Sequence, residues 1–442
     1  MRNGLRAILQ ITAALAASFA AQGDALRPGL VANYRDAAHT VRMGVLTPSF
    51  FLEPAESIHP ALASEFEAEW TGLLSVLRTG NYTIQCAGEV SVDGQEVRGR
   101  SVPLESGRHA LRIRYRHAPG SARLQLEWES EKFPLEPVPS SLLFHRPEDA
   151  PAESETRAER GRNLVEELGC VNCHAAGPGS LERRLGPNLT GIGSRANEKW
   201  LYRWLQDAQS YRADAVMPAM LEDGELRDVA RYLESLQARE RFEVRQTTVR
   251  DVERGKQQFG AIGCVVCHRA QQHSLDGIGS KATAGALAAY LKDPSRFDPS
   301  GRMPSLILSD TEAIELAAFL AGSRKPAFEQ AFEGGDPTRG KEIVRVRGCL
   351  ACHVLEDPAP VANGLAAPPL ARLAPDRGCL AQEPRGVPRY RLAAEDRSAI
   401  QEFLKTYQQH PDRSQAPVYS FRRSLERLRC VACHTIDQQA PA

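Results

Sequence analysis

Two periodicities divide this chain. Between residues 28 and 146, apolar positions alternate with polar ones: Leu111, Ile113 and Tyr115 with Arg112, Arg114 and Arg116, and then Leu124, Leu126 and Trp128. Such alternation puts one row of side chains on each face of a strand. Gly80-Asn81-Tyr82 and Val92-Asp93-Gly94 read as turns between short strands. Residues 26–147 are therefore expected to form an antiparallel β-sandwich. Residues 148–159, polar and Pro-bearing, read as a linker. Beyond them the period changes. Leu226, Val229, Ala230, Leu233 and Leu236 fall at helical spacing. Ser309 with Glu312 opens a further helix as a capping box, ending in Phe319-Leu320.

The amino terminus fits neither pattern. Arg2 and Arg6 precede a mostly small and apolar run from Ala7 to Ala20, and Ser18 and Ala20 suit cleavage before Ala21. Residues 1–23 thus read as a secretory signal. The alternative is an uncleaved anchor, but the run falls short of the ~20 residues a spanning helix needs. No later segment is apolar enough to span a bilayer, so the expectation is a periplasmic or secreted protein without a transmembrane span. With 55 basic and 55 acidic residues among 442, the chain has no net charge and no electrostatic case for nucleic acid. Its length predicts two to four domains.

The candidate chemistry lies in one motif found four times. Cys-x-x-Cys-His occurs at Cys170, Cys173 and His174, at Cys264, Cys267 and His268, at Cys349, Cys352 and His353, and at Cys430, Cys433 and His434. Two thiols one helical turn apart can add to the two vinyl groups of one haem, and the adjacent imidazole then meets the iron. A thioredoxin-like redox pair or half a zinc site also uses Cys-x-x-Cys. Neither requires His next in all four copies, and export suits haem attachment.

The motifs sit in repeats. Arg160-Gly161, Arg254-Gly255 and Arg339-Gly340 each begin ten residues before the first Cys, and Gly169, Gly263 and Gly348 immediately precede it. The interval shortens from 94 to 85 to 81 residues. In these features residues ~155–410 resemble three tandem class I cytochrome c domains. The resemblance implies all-α domains at 160–240, 250–324 and 336–410, and a partial fourth haem-attachment segment at 420–442. It also implies a Met-Pro pair supplying the sixth ligand to iron. Met217-Pro218 is the candidate in the first repeat, with Met220 as rival, and Met303-Pro304 in the second. Core packing is the bland alternative for these Met residues. Gly186-Pro187-Asn188-Leu189 is similar to the family loop whose Pro carbonyl holds the proximal His ring. Register puts His273 at the corresponding place in the second repeat, on the proximal side.

The third repeat departs from the family. Val387-Pro388 stands where Met-Pro is expected, and no Met lies beyond residue 303. Val cannot bind iron, so the third haem is expected to be five-coordinate or to carry water. Cys379, Tyr390 and His410 are the other candidate ligands, with a buried apolar role the alternative for Cys379. The fourth motif has Arg429 in place of Gly and only eight residues after His434.

Residues 26–147, with Trp70-Thr71-Gly72, Gly80-Asn81-Tyr82, Val92-Asp93-Gly94 and Trp128, resemble the β-sandwich first named in anthrax protective antigen. Secreted multihaem proteins of planctomycete type join that domain to cytochrome c domains. Relatives that bind glycans use an Asp pair with calcium, and no adjacent Asp-Asp occurs here. These resemblances imply a multihaem electron carrier with four covalently attached c-type haems and redox proteins as donors and acceptors. A polysaccharide or protein partner of the β domain remains open. The rival expectation is a peroxidase-like enzyme whose reactive iron lacks Met.

Overall fold

A computed structural model describes residues 26–149, 153–177, 181–212, 215–268, 273–409, 411, 423–425, 428 and 430. The signal read at 1–23 lies outside the described residues, as do His410, Arg429, Cys433 and His434. The chain divides into two compact units, one reaching Thr156 and the other beginning at Arg157.

The first unit is built of antiparallel sheets. The long strands Phe66–Val76 and Gly107–His117 pair along their whole length, from Val76 opposite Gly107 to Phe66 opposite His117. Leu30–Arg35 and Leu143–His145 also pair with Phe66–Val76, and Glu89–Val92 continues on the far side of Gly107–His117. A second sheet runs in the order Phe133–Pro137, Glu127–Ser130, Gly80–Gln85, Ser101–Leu104. Trp70, Leu74, Leu111 and Ile113 from the first sheet and Ile84 from the second are fully buried. Asp93-Gly94 is a turn, with φ positive at both residues. Gly80-Asn81-Tyr82 is not; Gly80 is already the first residue of its strand. The alternating run Leu124, Leu126, Trp128 is also divided. Ala122–Leu124 pairs with Phe50–Leu52, whereas Glu127–Ser130 pairs with Gly80–Gln85. All three side chains remain buried, because alternation reports burial and not the strand partner.

The arginine row on Gly107–His117 is charge-compensated across the sheet. Arg112 and Arg114 bind Glu69 at 2.6 and 3.0 Å, and Arg116 and Arg35 share Glu67. These neighbours hold the Glu67 and Glu69 carboxyls below their usual range.

The second unit is helical. Its long helices are α1 (Glu153–Glu167), α2 (Glu198–Gln206), α3 (Asp223–Ser235), α4 (Val249–Ala261), α5 (Ala284–Lys292), α6 (Asp310–Ala321), α7 (Pro337–Val346) and α8 (Ala394–Gln409). Thr248 with Asp251 caps α4, and Ser309 with Glu312 caps α6, each as a full capping box. Helices pair where a glycine lets backbones meet. A Cβ on Gly255 of α4 would lie 2.0 Å from the Glu315 carbonyl oxygen of α6. A Cβ on Gly161 of α1 would meet the Ala399 oxygen of α8 at 2.0 Å, and one on Gly340 of α7 the Asp228 oxygen of α3 at 2.1 Å. The preceding arginine clamps each crossing: Arg254 on Glu315 at 3.1 Å, Arg160 on Asp396 at 2.6 Å, Arg339 on Asp228 at 3.1 Å.

The pairing differs between repeats. In the middle repeat, α4 meets the α6 of its own repeat. In the outer repeats the partners are crossed: α1 of the first meets α8 of the third, and α7 of the third meets α3 of the first. Connector length allows this. Thirteen residues separate His174 from Pro187 and fifteen separate His353 from Pro368, whereas five separate His268 from His273. Thirteen extended residues reach about 45 Å and five only about 17 Å. The middle repeat therefore closes on itself, while the outer ones have chain enough to cross over.

Two substitutions in α4 separate packing from propensity. Gly255→Ala should lower the unfolding free energy of the helical unit by about 1–3 kcal/mol through overpacking. Gly260→Ala, where a Cβ meets nothing within 4 Å, should raise it by about 0.5–1 kcal/mol. Denaturant midpoints moving the same way for both would contradict the crossing at Gly255.

Candidate functional site

Each described Cys-x-x-Cys pair occupies one short helical turn, Cys170–Cys173, Cys264–Cys267 and Cys349–Cys352. The glycine before each turn has positive φ, at 69°, 94° and 84°. That left-handed residue ends the preceding helix and starts the turn at a new angle, a conformation costly for any residue with a Cβ. Each described cysteine is a free thiol. Burial pushes the Cys170 thiol up to about 12 and the Cys173 and Cys349 thiols up to about 11, reinforced by neighbouring thiols.

The histidine after each turn is held in one way. His268 Nδ1 lies 2.9 Å from the His273 carbonyl oxygen, His353 Nδ1 2.7 Å from that of Pro187, and His174 Nδ1 2.8 Å from that of Pro368. A carbonyl can only accept, so each Nδ1 carries the proton and each Nε2 keeps its lone pair for a metal. Burial also pushes the His353 imidazole down, toward the neutral form. Gly186 makes room for that ring, since a Cβ there would lie 2.5 Å from His353 Cε1.

The accepting carbonyls follow the crossed pairing. His268 uses its own repeat. His353 uses Pro187 of the first repeat, fixed by Gly186 N–H on the Cys352 oxygen and Leu189 N–H on the Val354 oxygen, both 2.8 Å. His174 uses Pro368 of the third repeat, fixed by Leu370 N–H on the Ala175 oxygen at 2.9 Å.

The apolar walls divide in the same manner. Met303 packs with Leu287, Leu291, Leu316 and Phe259 in the middle repeat. Met217 and Met220 pack in the cluster that holds Val344, Cys349, Leu350 and Leu355 of the third repeat. Around Cys170, Val165, Leu168 and Val171 of the first repeat are joined by Leu370, Leu380, Leu392, Ile400 and Leu404 of the third. A cavity of about 230 Å³ opens there, lined by Cys170, Cys173 and His174 and also by Cys379, Val387, Tyr390 and Met220. Cys379, Val387 and Tyr390, read from sequence as surrounding the third motif, thus stand beside the first. The Tyr390 hydroxyl donates to the Leu168 carbonyl at 3.2 Å, at the turn into Cys170.

Motifs one and three adjoin. Asn172, inside the first motif, donates from Nδ2 to Cys352 Sγ at 3.1 Å and to the Arg184 carbonyl, and accepts from Arg184 N–H at 3.1 Å. Asn172 and Pro368 were not singled out in the sequence. Pro368 had a signal, a Pro fifteen residues after His353 where Pro187 follows His174 by thirteen; Asn172 had none. The segment before the fourth motif reaches the first compartment, where Arg423 pairs with Glu166 and Glu182.

These residues fit covalently attached haem. Paired free thiols share one helical turn, an adjacent neutral imidazole presents Nε2, and the surrounding walls are apolar. The chemistry of this donor set is that of His-ligated iron with thioether attachment.

Comparison with known proteins agrees over part of the chain. Residues 158–237 match the family model for cytochrome c. A cytochrome c domain there implies covalent haem and an electron-transfer role. Over 97 residues the chain is 33% identical to cytochrome c oxidase subunit 2 of Alkalihalophilus pseudofirmus, covering 20% of this chain and 28% of that protein. It thus spans less than a third of that relative's length. Among solved structures, the PA14 domain of the MpAFP antifreeze protein is similar at 12% identity, covering 28% of this chain and 94% of that one, with a TM-score of 0.24. The epithelial adhesin 6 A domain of Candida glabrata is 13% identical over 28% and 89%, with a TM-score of 0.24.

Removing the link between motifs should be measurable. Asn172→Leu removes two hydrogen bonds to the part-buried Arg184 backbone, so the unfolding free energy should fall by about 0.5–1.5 kcal/mol for each. A midpoint unchanged from the parent would mean that Asn172 does not tie the two motifs.

Proposed function

We propose that this protein is an exported electron carrier with four covalently attached c-type haems. Cys170 and Cys173, Cys264 and Cys267, Cys349 and Cys352, and Cys430 and Cys433 would attach them. His174, His268, His353 and His434 would be proximal ligands, and Met217 and Met303 the methionine ligands. Each haem, when bound, would supply a one-electron ferric/ferrous couple. The observation that carries this reading is the set of three imidazoles, each with Nδ1 donated to a carbonyl beside a pair of free thiols.

The chain's own residues do the rest. Apolar walls exclude water and favour the higher potential of His/Met iron over iron without Met. The contact of Asn172 with Cys352 sets two attachment sites side by side, which suits passage of electrons between haems. Redox proteins outside the cytoplasm would be donor and acceptor. The β region, its arginine row already neutralised by Glu67 and Glu69, would dock the carrier to a polysaccharide or a protein. A peroxidase-like enzyme is the second reading, favoured by the cavity beside Cys170 where Val387 faces the site. Peroxide turnover above that of free haem would establish it, and none would retire it.

Mass spectrometry of the intact mature protein should show four haem increments and loss of the signal. Fewer than three increments would defeat the multihaem reading. Met303→Ala should abolish one methionine–iron charge-transfer band and lower one midpoint potential. An unchanged spectrum would remove Met303 as a ligand.

A further inference from the structure

We infer that the first and third repeats exchange their iron ligands: Met217 of the first repeat serves the iron at His353 of the third, and, of the three described motifs, the one at His174 faces the segment that carries Val387 in place of Met. The inference rests on the haem reading and goes beyond it, because the order of residues along the chain points the other way. By sequence register, Met217 belongs with His174 and Val387 with His353.

Three pairs of contacts reverse that assignment, and a further one joins the two loops. The Pro187 loop, which leads into the Met217 segment, holds His353 at 2.7 Å, and the Pro368 loop, which leads into the Val387 segment, holds His174 at 2.8 Å. The helix after Met217, α3, receives Gly340 from the third repeat, and the helix after Val387, α8, receives Gly161 from the first. Met217 itself packs in the cluster of Cys349, whereas Val387 lines the cavity of Cys170 and His174. Finally, the two ligand loops meet each other. Ala219 and Arg389 exchange backbone hydrogen bonds, Ala219 N–H to the Arg389 oxygen at 3.1 Å and Arg389 N–H to the Ala219 oxygen at 2.8 Å. That reciprocal bridge is antiparallel, so the Met217-Pro218-Ala219-Met220 and Val387-Pro388-Arg389-Tyr390 segments pass each other in opposite directions. Arg389 also reaches Glu222, ahead of α3, at 3.1 Å.

The middle repeat is the internal control. Its loop, its glycine crossing and Met303 all remain with His268. Of the three described motifs, the one at His174 is therefore the site open to a small neutral ligand such as carbon monoxide. Tyr390, Cys379 and Met220 also line its cavity, and the Tyr390 hydroxyl is spent on the Leu168 carbonyl.

The test counts the upfield methionine methyl signals in proton NMR of the reduced holoprotein. The parent should show those of Met217 and Met303. Cys170→Ala/Cys173→Ala, which removes the first haem, should keep both signals and lower carbon monoxide binding by one equivalent. Cys349→Ala/Cys352→Ala should lose the signal that Met217→Ala also removes. Loss of the Met217 signal with the first haem, and its retention without the third, would overturn the exchange. Val387→Met guards against variants that fail to fold. It should add a third methyl signal and lower carbon monoxide binding by one equivalent in the otherwise intact protein; no added signal, or one that vanishes with Cys349→Ala/Cys352→Ala, counts against the exchange. Absence of Soret absorbance in the parent would defeat the haem reading itself, a result separate from signals that follow each repeat's own iron.

Discussion

At Gly161, Gly255 and Gly340 one helix crosses another so closely that a backbone carbonyl occupies the space a Cβ would need. Any larger residue would push the helices apart, and with them the turn whose first cysteine lies nine residues further on. The arginine before each glycine reaches an acid on the partner helix, so the crossing has both a steric and an electrostatic lock. Salt bridges with one exposed end contribute little alone. Here they act where backbone contact has already fixed the distance. The orientation of each Cys-x-x-Cys-His turn follows from this crossing.

A second constraint completes each site. The imidazole must present Nε2 and be kept from rotating, and a backbone carbonyl opposite Nδ1 does both. Because this acceptor is a backbone carbonyl, its residue type is free. Pro187, Pro368 and His273 all serve, the last with φ of 49°. Side-chain identity is therefore a poor guide to this contact, whereas chain length between the histidine and the loop is a good one.

Crossing of the outer repeats changes what the matched cytochrome c stretch at 158–237 means. Its amino-terminal portion, through Gly177, joins α8 and the Pro368 loop, and its later portion joins α7 and Cys349. One contiguous stretch thus contributes to two compartments, which the Asn172–Cys352 contact places in direct apposition.

Much of this was legible in the sequence. The strands, the capped helix from Asp310 and the buried faces at Leu226, Val229, Ala230 and Leu233 follow from periodicity, because burial of an apolar row is a local property of an element. The Cys-x-x-Cys-His turns are equally local, since thiol spacing and the neighbouring imidazole are set within one helical turn. Which helix pairs with which is not local. Repeats alike in sequence offer equivalent docking surfaces, so register alone cannot tell Ala399 from Asp228 as the partner of a glycine. Only the folded chain decided that Met217 stands with Cys349 and Val387 with Cys170, because that choice is made by packing between segments far apart in sequence.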